Sequence, residues 1–238
     1  AFGVRLYGHT RSLGPVQVEL RIPADVPLES IQERSAANDL GLLDPGLYDV
    51  AVAEITAARK AGDTVGGVVE VIVSGLPPGL GTHVHWDRKL DGRLAQALMS
   101  IQAIKGVEVG DGFAVARMRG SEAHDEIYYE GEQFTRHSNR AGGTEGGITI
   151  GGPLRVRAAM KPISTVMRPL DTVDVDTKQP DKAFRERSDV CAVPAAGVVA
   201  EQMVAIVLAQ ELQRKLGGDT VGDMQGALGA YRARLNAF

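Results

Sequence analysis

Three clusters of residues in this sequence carry groups able to do chemistry. In Arg187-Ser188-Asp189 a guanidinium and a carboxylate stand two apart, directly ahead of the apolar run Val190-Cys191-Ala192-Val193-Pro194. A carboxylate beside such a run is expected to be partly desolvated, which raises its pKa unless Arg187 or backbone N–H groups hold it ionised. Asp189 is therefore a candidate general base, with Arg187 as its partner or as an anion clamp. The same residues also read as a turn cap or structural ion pair at the head of a helix, and Cys191 reads as an inert buried thiol.

Lys161-Pro162-Ile163-Ser164-Thr165 brings a lysine, two hydroxyls and backbone N–H groups together. Those donors suit a phosphate, and they also suit a plain turn at the end of a strand. In Ala141-Gly142-Gly143-Thr144-Glu145-Gly146-Gly147 the glycines permit close approach of backbone to a flat or charged ligand. Neither the dinucleotide fingerprint nor the Walker phosphate loop is matched, and a mobile surface loop explains the tract equally well. His83 and His85, with Asp87, offer a weak metal site, since no third ligand has an obvious spacing. His124-Asp125-Glu126 reads as a solvated loop on pattern alone.

These residues must be positioned by regular elements. Val4 to Leu20 reads as short β segments, and Asp44-Pro45 opens a helix carrying Leu47, Val50, Val52 and Ile55 that stops at Gly62. Val65 to Ser74 is a strand, and a second helix is expected from Leu90 to Ile104, ended by Gly106. Asp111 to Ile127 reads as a short helix plus loop, and Val173-Asp174-Val175-Asp176 as a further strand. Leu154 to Met160 alternates, with Arg155 and Arg157 on one face. Ala195 to Leu216 is helical, apolar nearly all round in its first half and so expected to be buried there. Val221 to Phe238 is a final helix with Val221, Met224, Leu228, Tyr231 and Leu235 on one stripe. Interleaved strands and helices favour a layered fold.

Composition excludes several functions. The 238 residues suit one large domain or two small ones, and a net charge of −4 gives no global field for nucleic acid or anionic lipid. Aromatic residues at 5% leave no stacking platform for single strands, and one cysteine forbids intrachain disulfides and cysteine-built metal centres. A lone cysteine fits a reducing cytoplasm. The run Val190 to Ala200, broken by Pro194 and Gly197, is too short to span a bilayer. The start has neither the pattern of a signal peptide nor an initiator Met, and the chain is expected to begin inside a longer one.

Six segments, in order, carry a family resemblance: Gly79-Leu80-Gly81; Ile101 to Phe113; Gly120-Ser121-Glu122-Ala123-His124-Asp125-Glu126; Ser138-Asn139-Arg140-Ala141-Gly142-Gly143; Met160 to Thr165; and Arg187 to Pro194. Together they resemble chorismate synthase over nearly the whole chain. The resemblance implies an α+β fold in which antiparallel sheets sandwich helices, here a single domain over 1–238 that forms the C-terminal portion of a homotetrameric, cytoplasmic enzyme. It implies a carbon–oxygen lyase that eliminates phosphate and a C6 hydrogen from 5-enolpyruvylshikimate 3-phosphate, giving chorismate with reduced FMN as cofactor. Reduced flavin comes from a separate reductase in some members and from an intrinsic NADPH-dependent activity in others.

By motif, the resemblance assigns flavin contacts to Gln102, Ala103 and Gly146, and the flavin's phosphate region to Lys161, Pro162, Ile163, Ser164 and Thr165. Arg187 would bridge flavin and substrate, and Asp189 would manage the proton taken from C6. The family's Ser-His-Gly and His-Ala-Asp motifs have no counterpart here, and none of His9, His83, His85, His124 or His137 corresponds to their histidines. This chain alone is therefore expected to be inactive. The alternative is a folding and assembly fragment that binds no FMN, with apolar surface left uncovered.

Overall fold

A computed structural model describes residues 1–20, 22 and 26–237. The first elements are β1 (Arg5–Leu13), β2 (Val16–Gln17), α1 (Leu28–Ala36), α2 (Tyr48–Ala61) and β3 (Gly67–Ser74). Then come α3 (Leu90–Met99), β4 (Ile104–Val109), two single helical turns, α4 (Gly112–Val115) and α5 (Gly120–Ala123), and the short strands β5 (Tyr128–Glu130), β6 (Gln133–Thr135), β7 (Thr144–Glu145) and β8 (Ile148–Thr149). The chain finishes with β9 (Leu154–Met160), β10 (Asp171–Val173), β11 (Pro180–Lys182), α6 (Val193–Leu216) and α7 (Val221–Asn236).

Five strands form one antiparallel sheet in the order β2-β1-β3-β9-β4, and the remaining strands pair as two-stranded ribbons. The fold is α+β. Among the described residues this is the one large sheet, with a helical layer on it, so half of the expected sheet–helix–sheet sandwich is present.

Alternation along the strands divides the sheet into two unlike faces. Val69, Val71 and Val73 of β3 and Leu154, Val156 and Ala158 of β9 enter one core with Val193, Ala200, Val204 and Leu208 of α6 and Leu90, Leu94 and Leu98 of α3. The opposite face carries Tyr7 and Ile72, packed with Ile31 and Leu43, and beside them a charged array of His9, Glu70, Arg155 and Arg157. The two arginines of β9 lie on one face, as its alternation predicts.

Asp44 accepts the Gly46 N–H, at 2.9 Å, at the head of a 3₁₀ turn that runs into α2, and Gly62 ends that helix with a left-handed φ of 71°. On α2 itself Ala51 is the buried residue, whereas Val50 and Val52 are exposed. The second helix stops at Met99, five residues before the expected end. After the cap at Ser100, a turn in which Ala103 takes a left-handed φ of 65° leads into β4, where Ile104 pairs with Met160. In the strand expected over Val173 to Asp176 only Val173 is extended; 174–177 form the turn between β10 and β11. In α7, Leu228 is buried while Val221 and Leu235 at its ends are exposed; Phe238 lies outside the described residues.

The first half of α6 departs from expectation. Val198 and Val199 in that half are 66% and 46% exposed, and Ile206 just beyond it 51%, so the helix buries one side on the sheet and shows an apolar stripe on the other. By length and composition α6 could cross a membrane. Its buried Glu211, paired with Arg93 and Arg214, instead fits a helix packed on a protein core.

Candidate functional site

The end of the sheet where β9 finishes and β3 begins gathers three segments that are far apart in sequence. The Lys161 N–H donates to the Ala103 carbonyl at 2.9 Å, tying the lysine segment to the turn after α3. The Thr64 hydroxyl donates to the Ile163 carbonyl at 2.6 Å, and the Ser188 hydroxyl to the Thr165 carbonyl at 2.6 Å. The Val65 N–H donates to the Val190 carbonyl at 2.7 Å. Gly66 makes room for this meeting: a Cβ there would fall 2.4 Å from the Met160 carbonyl oxygen and 2.8 Å from the Pro162 nitrogen.

The backbone of this patch is thus held, while its polar side chains stay available. Gln102, Lys161, Ser164, Arg187 and Asp189 are exposed, and among the described residues neither Arg187 nor Asp189 forms an ion pair. The partly desolvated Asp189 expected from its apolar neighbours is not found. The chain turns inward only at Val190, whose carbonyl is taken by Val65, and leaves Asp189 in water. Cys191 is half-buried, and burial pushes its thiol pKa up, against a hydrogen bond from the Val193 N–H, as an inert thiol requires. The left-handed Ala103, strained for a residue with a side chain, falls inside this patch, where such strain is commonly found.

Gly146 is elsewhere. It sits with φ 61° at the tip of the β7–β8 ribbon, beside Gly147, whose carbonyl accepts the Leu90 N–H at 2.9 Å. Leu90 begins α3 and Gln102-Ala103 follow its end, so about 15 Å of helix separates Gly146 from the other flavin candidates. Nothing lies within 4 Å of a Cβ at Gly146, which leaves the tip open.

The glycine-rich end holds a residue that pattern reading missed. Asp125, expected in a solvated loop, is 4% exposed. Its carboxylate accepts the Ser138 hydroxyl at 2.5 Å and the N–H groups of Arg140 and Ala141 at 2.8 and 2.9 Å. Burial opposes its ionised form, and these hydrogen bonds with nearby Arg136 outweigh it and hold the pKa below the ordinary value. Arg136 also donates to the Asp125 carbonyl and pairs with Glu145, next to Gly146. Two of the resembling segments, 120–126 and 138–143, are therefore one structural unit. His83 and His85 lie exposed in a loop rather than on a strand, and no metal-holding group of three His, Cys, Asp or Glu occurs among the described residues.

An α+β layer here presents exposed cationic, hydroxyl and carboxylate groups on a fixed backbone, a donor set chemically suited to an anion. A family model described as chorismate synthase matches residues 1–213. The chorismate synthase of Acidothermus cellulolyticus is 60% identical over 97% of this chain and 58% of its own length, and that of Thermobifida fusca 57% identical over 97% and 58%. A crystal structure of a chorismate synthase superposes with a TM-score of 0.84 at 42% identity, covering all of this chain and 65% of the other. The chain belongs to the chorismate synthase family, and it spans just under three fifths of the length of these relatives.

Proposed function

We propose that this chain supplies the Lys161–Thr165 and Arg187/Asp189 part of a chorismate synthase site. The whole protein would convert 5-enolpyruvylshikimate 3-phosphate to chorismate by anti 1,4-elimination, working in the reducing cytoplasm as a homotetramer. The observation that carries the reading is the convergence of residues 102–103, 161–165 and 187–191 on one patch through four backbone-anchored hydrogen bonds.

The donor set suits the reduced FMN that this chemistry uses: an exposed ammonium, two neighbouring hydroxyls and a left-handed turn. Reduced FMN, when bound, supplies electron density to an elimination that involves no net oxidation. Lys161 would neutralise the cofactor's phosphate, with Ser164 and Thr165 donating to its oxygens. Gln102 and Ala103 would bound the ring system. Arg187 would hold the substrate's negative charge against it, and Asp189 would accept and pass on the proton from C6. Gly146 joins this site through a ligand lying along α3 or from a second copy, which a tetramer provides. The source of reduced flavin, a separate reductase or NADPH acting on the protein itself, belongs to the whole assembly.

The test uses the complete protein that contains this sequence. Asp189→Ala should lower chorismate formation at least a hundredfold with the fold intact, and unchanged turnover would overturn the assigned role. For the chain by itself, titration with reduced FMN reads out the half-site. The exposed stripe of Val198, Val199 and Ile206 favours a second reading, an assembly fragment that binds no flavin, and stoichiometric FMN binding would eliminate it.

A further inference from the structure

The sheet face opposite α6 holds a basin that the flavin reading does not use. It encloses about 1920 Å³ and is lined by Arg11, Arg155 and Arg157 from the sheet and by Arg136, Arg140 and Arg232 from the surrounding loops and α7. Only three carboxylates, Glu70, Asp111 and Glu132, line it with them. In a chain whose net charge is −4, this is a local concentration of cations.

The guanidinium groups fall into two sets. Arg157 pairs with Glu70 and Glu108, Arg155 with Asp111, and Arg136 with Glu145, so these are largely neutralised. Arg140 and Arg232 meet no carboxylate within ion-pair distance among the described residues; Arg232 has only long contacts, 3.5 and 3.3 Å, to the Phe2 and Gly75 carbonyls. Arg140 projects from a backbone fixed by its N–H bond to Asp125, so it is presented from a rigid turn. Arg155 adds a buried Nε with no partner. Burial lowers the Arg11 pKa against the pull of Glu70, and Arg157 and Arg155 lower it further, which an added anion would relieve.

We propose that this basin binds a phosphate ester, its dianionic group held between Arg140 and Arg232 above the paired arginines of the sheet. Two unneutralised guanidinium forks match the charge and the several acceptor oxygens of a phosphate better than a single carboxylate does. Tyr129 and Phe134, 66% and 68% exposed on the β5–β6 ribbon, border the same basin and offer apolar rings to the organic part of the ester. The site shares no residue with the Lys161 patch, which lies at the far end of β9.

Isothermal titration of the chain with inorganic pyrophosphate at low ionic strength tests this. Saturable binding is expected, with a component that Arg140→Ala and Arg232→Ala each weaken at least tenfold and that Lys161→Ala does not remove. Absence of binding, binding that both arginine variants leave within twofold, or binding abolished by Lys161→Ala would each overturn it. Guanidinium N–H shifts of Arg140 and Arg232 in the unsubstituted chain give a readout that does not depend on a variant folding: both must move with pyrophosphate, and static signals refute the site. The flavin reading stands or falls separately, on Asp189 and Lys161.

Discussion

The two ends of β9 use their polar groups in opposite ways. Beyond Leu154, where the glycine-rich turn packs, Asp125, Ser138, Arg136 and Asn139 spend their donors and acceptors almost entirely on one another and on the backbone, and the side chains left unspent there, Arg140 and the Nε of Arg155, belong to the arginine basin. Beyond Met160 the backbone is tied down by four hydrogen bonds, but Lys161, Ser164, Arg187 and Asp189 face solvent. A saturated network positions its neighbours, whereas a fixed backbone with unspent side chains is prepared to meet a ligand. Polarity alone does not distinguish a site from a scaffold; the availability of its groups does.

The largest expected effect comes from breaking the charged network between these ends. Glu70 is 1% exposed and bonds to His9 at 2.9 Å and Arg157 at 2.6 Å. Glu70→Ala should cost about 3–5 kcal/mol in urea unfolding, because it removes the partner of the buried His9 and one of the two carboxylates paired with Arg157. Burial would raise the Glu70 pKa, but His9 and then Arg157 outweigh burial and pull it from 4.5 to about 2. Its contribution is therefore complete above pH 4.5 and lost as pH falls toward 2. It amounts to about 3 kcal/mol, measurable as a loss of unfolding free energy across that window and absent in Glu70→Gln.

A smaller effect sharpens the account of the saturated end. Asp125→Ala should destabilise by about 2–3 kcal/mol, since two buried N–H groups and a hydroxyl lose their acceptor. Hydrogen exchange should quicken at Arg140 and Ala141 while the Lys161 amide keeps its protection. Equal loss at both ends would erase the distinction between them.

The available end is tested by geometry and then by charge. Gly66→Ala forces a methyl against the Met160 carbonyl and the Pro162 nitrogen, and should cost about 1–3 kcal/mol together with a weakening of reduced-FMN binding. Lys161→Ala should leave stability within about 0.5 kcal/mol while lowering FMN affinity about tenfold. A stability loss as large as that of Asp125→Ala would show that Lys161 is structural after all.

Local pattern made much of the fold legible. The β9 alternation, the Asp44 cap and the Gly62 stop each depend on residues a few positions apart. What failed depended on distant partners. Residues 100–104 read as the tail of a helix stopped at Gly106, and only pairing with β9 makes Ile104–Val109 a strand. Asp125 looks solvated because its acceptors are filled by a turn thirteen and more residues away. At the candidate site, the donor and acceptor types present in Lys161–Thr165 and Arg187–Asp189 were readable. Their adjacency was not, nor was the position of Gly146, since neither follows from spacing. The exposed face of α6 shows the limit of composition: an all-apolar segment says that it will be covered, without saying by which part of the molecule.

The Ser188 hydroxyl bond to the Thr165 carbonyl closes the β10–β11 ribbon at its base. The lysine and aspartate segments are thereby joined through closure rather than through chain length, and the residues between Thr165 and Ser188 lie outside the five-stranded sheet. Because the entropy of closing a loop grows only slowly with its length, residues can be gained or lost at the 174–179 turn with little thermodynamic penalty. The ribbon is thus a place where lineages can vary in length while the spacing of the groups at its base is preserved.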